Sequence, residues 1–350
     1  MNDSLRVAIL GGGVAGLACA FRLRCIAPDA RLTILDAASR LGGKVDGDVV
    51  KGCIVDGGPD LCVGAKLERT HAFEALALDS RLIPVNPNRL PTYRRGGAAL
   101  HLLPFVMTDG LVTFRRGMRD VVQLLAGALG GADVRTGVAA RAIERSKHGW
   151  RVITASGALL EADAVVVALP GPAAAAVLSG VAPNAALVAS RVKYAPMTTV
   201  SVGWAASDVA HDLGGTGYLV SGGTSGLVSA CTWTSRKIPS RSPPDIVLMR
   251  GYARGADAAA ATDAVLADMR EVAGITTDPL FVRAFAWSDA IPKYALDHSI
   301  SVRALDEEIA SLPPLALAGA AFHGVGVPDC IASGERAAES IAARILRVVA

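Results

Sequence analysis

A short apolar run, Arg6-Val7-Ala8-Ile9-Leu10, opens directly into Gly11-Gly12-Gly13-Val14-Ala15-Gly16 and then into the apolar stretch Leu17 to Leu23. This G-x-G-x-x-G lies between a predicted buried parallel strand and a predicted helix, the context in which the pattern carries meaning. Gly11 permits the tight turn, Gly13 lets a pyrophosphate approach the backbone, and Gly16 lets the helix pack close on the strand. The helix N-terminus, with Val14 and Ala15 in its first turn, offers free N–H groups and a positive dipole end to phosphates. A second predicted strand, Arg31 to Leu35, ends in Asp36, twenty residues after Gly16, where a carboxylate would receive ribose hydroxyls. A merely structural glycine turn would leave Asp36 without a reason for its place.

The expected fold class is therefore α/β: a doubly wound, Rossmann-like parallel sheet, joined to a second, mainly antiparallel α+β substrate domain. The chain has 350 residues, 51% hydrophobic and 19% charged, enough for a large core and for two domains or one with a sizeable insertion. With 5% aromatics, that core is mainly aliphatic. The net charge is +3 and the Lys and Arg are scattered among acids, which argues against nucleic acid as a partner. Arg115, Arg116 and Arg119 read as the solvated edge of a helix start.

Six cysteines, Cys19, Cys25, Cys53, Cys62, Cys231 and Cys330, form no C-x-x-C pair and no metal-ligand spacing. A reduced, cytoplasmic protein without a structural metal is expected. Residues 1–10 show neither a charged n-region nor a cleavage site, so no secretory signal is expected. The most apolar stretch, Ala164 to Val181, is broken by Pro170, Gly171 and Pro172 into a strand and a short helix and is not read as a membrane span.

A second glycine turn, Ala37-Ala38-Ser39-Arg40-Leu41-Gly42-Gly43-Lys44, follows the second strand. It resembles the R-x-G-G-[KR] signature of the flavin-containing amine oxidase and porphyrinogen oxidase superfamily, where the signature lies along the flavin diphosphate. The resemblance implies FAD, with Ala37, Arg40, Gly42, Gly43 and Lys44 at the cofactor. The two glycines permit close approach, and Arg40 and Lys44 offer charge-assisted hydrogen bonds to phosphate.

Val55-Asp56-Gly57-Gly58-Pro59-Asp60 followed by Lys66 is similar to the G-P-D … K segment of bacterial coproporphyrinogen and protoporphyrinogen oxidases. In that family the segment passes the flavin ring and the substrate. Near the C-terminus, Gly319 and Gly324-Val325-Gly326-Val327-Pro328-Asp329-Cys330-Ile331, then Ser333-Gly334, resemble its closing motif, before a predicted helix Ile331 to Ile345. Small residues there would let backbone N–H groups reach the polar edge of the ring. Thr136 and Val138 resemble a strand packed on adenine, Asp163 to Pro170, including Ala168, a return strand, and Trp287, Pro292, Tyr294 and His298 a W-x-x-A-x-P-x-Y-x-x-x-H run. Ser235 to Pro239 match a further family segment. The resemblance implies Gly57, Gly58, Pro59, Asp60, Val138, Ala168, Trp287, Gly319, Gly326 and Val327 as cofactor contacts, although turn capping accounts equally well for Asp60.

Two departures stand out. Leu103-Pro104-Phe105 is followed only nine residues later by Phe114-Arg115-Arg116-Gly117, where the family carries a long helical insert forming one wall of the substrate pocket. The positions of a family Gln and Gly are held by Lys293 and Asp297. The substrate is therefore expected to be a small reduced heterocycle, not necessarily a tetrapyrrole.

Within this resemblance, hydride passes from an activated C–H to flavin N5, with O2 as acceptor. Anionic substituents would be held by Lys66, Arg94 or Lys293, of which Lys66 lies in a matched motif. His323, beside the flavin-binding glycines, is the candidate base; His101 and His298 read as structural. Cys330 matches a position that holds flavin without a covalent link. Three readings follow: a porphyrinogen-type oxidase, an oxidase of amines or amino-acid-derived rings in specialised metabolism, and a non-catalytic flavoprotein binding a tetrapyrrole or a partner. A homodimer is compatible with each.

The expected FAD domain is discontinuous, from residues 1–80, 117–175 and 313–350, and the substrate domain takes 81–116 and 176–312. Thr198 to Trp204, Gly217 to Ser221, Leu227 to Thr234 and Asp245 to Arg250 read as antiparallel strands, and Asp263 to Ala273 as an amphipathic helix.

Overall fold

The computed structural model describes residues 4–96, 99–102, 110–220 and 226–349. At its centre is a five-stranded, all-parallel sheet in the order Asp133–Thr136, Arg31–Asp36, Arg6–Leu10, Ala164–Val167, Leu315–Leu317. Side chains of the central strand alternate between two cores, as the period of a strand requires. Val7 and Ile9 join the helices Val14–Ile26, Arg119–Gly127 and Val327–Val349. Ala8 and Leu10 join Trp150 and Val152, together with the helices Gly171–Leu178 and Pro183–Arg191. The expected doubly wound sheet is present, with one face covered partly by the antiparallel strands Ala140–Ser146, Gly149–Thr154 and Leu159–Ala162.

Glycine sets how closely the first and last helices approach. A Cβ at Gly334 would enter the carbonyl of Ala15, and one at Gly16 would enter the carbonyl of Gly11. The last helix begins at Val327, earlier than the Ile331 read from sequence, so the closing motif forms its first turn.

A second, seven-stranded sheet runs in the order Phe281–Lys293, Lys193–Ala205, Ile246–Arg254, Val228–Thr232, Gly217–Val220, Tyr93–Gly96, Ala99–Leu102. Its pairs are antiparallel except that between Gly217–Val220 and Tyr93–Gly96. The strand expected over Thr198–Trp204 reaches back to Lys193 because Pro196, which has no N–H to give, falls at a bulge in the pairing. The helix Ala258–Ala273 starts earlier than read because the Asp257 carboxylate accepts from the amides of Ala259 (3.0 Å) and Ala260 (3.1 Å). Its Ala261, Val265 and Met269 join the core beneath Val200, Val202 and Met249.

The segment Leu103-Pro104-Phe105 and residue Ser221 lie outside the described residues. Only residues 103–110 separate the strands Ala99–Leu102 and Leu111–Phe114, which leaves no length for a helical insert. Leu111–Phe114 pairs with both Cys62–Val63 and Leu82–Pro84, tying the region after the second glycine turn to the approach to the seven-stranded sheet.

Candidate active site

The parallel strands end together at one edge, the position where open α/β sheets bind ligands. Gly11 follows the central strand and donates to Leu35 O (2.8 Å); Ala168 follows the fourth strand and donates to Leu10 O (2.8 Å). The Ala168 carbonyl occupies the space that a Gly11 side chain would need. The second glycine turn packs on the first: Gly42 N–H donates to Gly12 O (2.8 Å), Gly13 and Gly42 form a parallel bridge, and a Cβ at Gly43 would stand 3.3 Å from the Gly13 Cα. The helix after Gly13 has no side-chain N-cap and no acid in its first turn, so its N-terminal field is left for an anion. Both glycine turns and an uncapped helix end form a cradle suited to a diphosphate.

Asp36 is the last residue of the strand Arg31–Asp36. One carboxylate oxygen accepts from Gly12 N–H (2.7 Å), the other from Ala38 N–H (2.8 Å) beside Ala37, and its carbonyl accepts from Val138 N–H (2.8 Å). Each carboxylate oxygen keeps a lone pair for a hydroxyl. Val138 lies just past the strand Asp133–Thr136, not within it. Arg40 differs from expectation: its guanidinium donates to the carbonyls of Leu41 (3.2 Å) and Gly43 (2.9 Å) and pairs with Asp46 (2.9 Å), bracing its own turn.

The Gly57-Gly58-Pro59 turn is fixed from the seven-stranded sheet. Gly57 O accepts from Thr199 Oγ1 (2.7 Å) and from Trp287 Nε1 (2.9 Å), and Arg250 donates to Gly58 O. A Cβ at Gly57 would lie 2.5 Å from the Phe285 ring, and one at Gly58 would enter the Lys44 carbonyl. Trp287 thus holds the turn by its backbone.

Asp60 is engaged elsewhere than expected. Its carboxylate faces Lys237 Nζ (3.7 Å), Arg250 Nη1 (3.6 Å) and Tyr252 OH (3.1 Å). Burial raises its pKa, but Lys237 and Arg250, with the tyrosine hydroxyl, outweigh that and leave it below the ordinary carboxylate range. Asp56 pairs with Arg241 (3.0 Å) and accepts from Met118 N–H (2.7 Å); burial dominates there and pushes its carboxyl up. These five side chains, two carboxylates and three cations, clasp the turn to the second sheet. The motif letters alone cannot reveal the distant partners Arg241 and Arg250.

At the closing motif, Gly319, in the left-handed region at φ +89°, donates to Ser333 Oγ (2.9 Å). Tyr294 OH donates to Ala320 O (2.7 Å) and accepts from Gly324 N–H (3.2 Å). Asp329, in the first turn of the last helix beside Val327, accepts from Gly326 N–H (3.3 Å) and pairs with Lys66 Nζ (3.0 Å). Lys66 is half-exposed at this mouth. Lys44, expected on phosphate, instead sets its ammonium 4.7 Å from the Tyr194 ring centroid. Burial lowers its pKa, opposed by the nearby Asp289 carboxylate. Tyr194 OH accepts from Gly171 N–H (2.8 Å), and burial pushes the Cys330 thiol up to about 12. Lys44, Tyr194, Asp289 and Cys330 so form a polar cluster where the second glycine turn, the ends of two long strands and the last helix meet. Tyr194 and Asp289 lie outside every glycine motif; Asp289 falls at an unspecified position of the Trp287 to His298 run, and nothing in the local sequence marks Tyr194.

The other candidates fall outside this cluster. His323 donates to the Leu317 carbonyl behind the glycine loop; burial, aided by the Arg336 and His298 charges, lowers its pKa to about 4. It is a neutral imidazole turned to the sheet edge, not to the cleft. Lys293 is exposed at a strand end, opposite Lys193, and Arg94 is exposed opposite His101. His298 is buried and stacks on Tyr294 with 4.2 Å between ring centroids, in keeping with a structural role.

A parallel sheet carrying two glycine turns at its carboxyl edge, clasped to an antiparallel sheet, defines a dinucleotide-binding oxidoreductase. The model of flavin-containing amine oxidoreductases matches residues 92–342, and that of an NAD(P)-binding Rossmann-like domain matches residues 9–75. The chain belongs to the flavin-containing amine oxidoreductase family and is an FAD-dependent oxidoreductase. It is 29% identical to coproporphyrinogen III oxidase of Bacillus subtilis over 234 residues, covering 64% of this chain and 49% of that one. It is 26% identical to coproporphyrinogen III oxidase of Mycobacterium tuberculosis over 442 positions, covering 95% of this chain and 96% of that one. That alignment is longer than the present chain, so it crosses gaps on this side. Among solved structures, a protein from Exiguobacterium sp. 255-15 described provisionally as a protoporphyrinogen oxidase superposes with a TM-score of 0.86 at 23% identity, covering 97% of this chain and 99% of that one. Cyclohexylamine oxidase from Brevibacterium oxydans has a TM-score of 0.76 at 14% identity, covering 98% and 100%. Among the described residues, no helix is long and apolar enough to cross a membrane.

Proposed function

We propose that this protein is an oxidase of porphyrinogen type, dehydrogenating a reduced heterocycle whose anionic substituents meet Lys66. The observation that carries the reading is the meeting of three glycine-rich segments, 42–44, 57–59 and 319–326, beside the polar cluster of Lys44, Tyr194 and Asp289. In this reading Gly11, Gly13, Val14, Ala15, Gly16, Gly42 and Gly43 hold the diphosphate, Asp36 the ribose and Val138 the adenine. Gly57, Gly58, Pro59, Gly319, Gly326 and Val327 border the ring. The segments 1–80, 117–175 and 313–350 act as the FAD domain, and 81–116 with 176–312 as the substrate domain.

Bound FAD supplies a two-electron acceptor for hydride, and O2 is the proposed final acceptor. The chain's part is to orient and to exclude water. Trp287, Thr199 and Arg250 fix the carbonyls of the Gly57-Gly58 turn, so its position does not drift when substrate binds. Lys66, tethered by Asp329, provides a cation at the mouth without a large desolvation cost. The substrate proton is assigned to no side chain, since His323 faces away.

A second reading, an oxidase of amines or of amino-acid-derived rings, is favoured by the connection at 103–110, which is too short to hold the long helical insert that the resemblance implies. A cytoplasmic homodimer is proposed for either. The test is aerobic turnover of purified holoprotein with coproporphyrinogen III, protoporphyrinogen IX and cyclic amines, following porphyrin fluorescence and peroxide. Porphyrin formation at enzymatic rates supports the first reading. Peroxide from amines alone supports the second.

A further inference from the structure

A cavity of about 640 Å³ lies against the edge of the parallel sheet at Leu315–Leu317, away from the first two glycine turns and bordered on one side by Phe322, His323 and Gly324 of the closing loop. Pocket volumes for small ligands fall in this range. Its floor is apolar, from Leu305, Ile309, Leu315, Leu317 and Phe322. Three charged side chains border it: Arg303, Arg336 and Asp306. Neither arginine has an ion pair or hydrogen bond among the described residues. His298 and His323 add imidazoles to a polar lining that includes Ser299, Ser333 and Ser340, and the Nε2 atom of the buried His298 has no hydrogen-bond partner there either. A buried polar atom without a partner is uncommon and calls for an explanation.

The lining selects a ligand class. Two arginines against one aspartate leave a single excess positive charge, which suits a monoanion better than a phosphate dianion. The planar guanidinium fork matches a carboxylate. The apolar floor asks for a hydrocarbon body. We propose that this cavity binds an amphipathic monocarboxylate, its carboxylate between Arg303 and Arg336 and its body over Leu315, Leu317 and Phe322. The site touches the flavin loop through Tyr294, whose ring stacks on His298 and whose hydroxyl holds Ala320 and Gly324. Occupancy is therefore felt as a small change in the bound flavin.

The test is calorimetric titration of the holoprotein with octanoate, with flavin difference spectra recorded in parallel. It reads binding alone, so its outcome is independent of whether any porphyrinogen or amine is oxidised. One equivalent is expected to bind, the double variant Arg303→Ala, Arg336→Ala to bind about tenfold or more weakly, and FAD content to be unchanged. Octylammonium is expected not to bind. Absence of binding up to about 10 mM octanoate, equal binding of octylammonium, or a loss caused by Lys66→Met and not by the arginine variants would overturn the proposal.

Discussion

The glycine turns and the cleft beside them are built on opposite terms. At the turns backbone meets backbone: Gly16 against the Gly11 carbonyl, Gly11 against the Ala168 carbonyl, Gly58 against the Lys44 carbonyl. No side chain beyond hydrogen fits, and a change there must move main chain. At the cleft the contacts are between side chains: Lys44 over Tyr194, Lys66 with Asp329, Arg250 with Asp60. Such contacts can be exchanged while the backbone stays. A fold arranged this way keeps its cofactor site while the residues facing the substrate are free to change.

The contrast is broken most severely from the backbone side. Gly58→Ala is expected to abolish retained flavin and to cost about 3 kcal/mol or more of stability, read from flavin-to-protein absorbance and chemical denaturation. Full flavin occupancy in that variant would mean the turn is not a tight backbone contact. Arg250→Met probes the joint between the two regions. It leaves the largely buried Asp60 with only Lys237 and Tyr252, and a loss of about 3 kcal/mol is expected. Asp36→Asn removes the charge and replaces one of the two acceptor oxygens with an NH2 that faces a backbone N–H, so FAD should dissociate about tenfold or more readily, as equilibrium dialysis would reveal.

A pH titration separates His323 from the cleft. Its folded pKa lies at about 4 against an ordinary 6.5, so between those values the unfolded chain binds a proton that the folded chain does not. Stability should fall as pH drops through that window and level off below it. In His323→Gln the slope should flatten, and catalysis should be unaffected. The smallest stability effect belongs to Lys66→Met, below about 1 kcal/mol for a pair so exposed, yet KM for an anionic substrate should rise severalfold. A variant with unchanged KM would remove Lys66 from the substrate's path.

Much of the cofactor edge is legible from the letters because glycine's information is the atom it lacks. Gly11, Gly13 and Gly16 between an apolar strand and a helix admit few other structures, and Asp36 follows from strand length. Charged residues carry less, because their partners are decided by folding. Lys44 in a phosphate-binding signature turned to Tyr194 and Asp289, some 150 and 245 positions further along the chain. Asp60 found Arg250 and Lys237, and His323, adjacent to the right glycines, points behind them because its ring donates to Leu317. The strand through Pro196 was hidden for a local reason, since a bulge admits what a regular ladder refuses.

The cleft beside Lys44 and Lys66 is proposed to present a reduced heterocycle to the flavin. This is tested most directly by mixing oxidised holoprotein with coproporphyrinogen III in anaerobic stopped flow and following flavin absorbance near about 450 nm. Rapid bleaching, with porphyrin appearing in step and slowed in Lys66→Met, is the predicted result. No bleaching by any porphyrinogen, together with rapid bleaching by a cyclic amine, would contradict it.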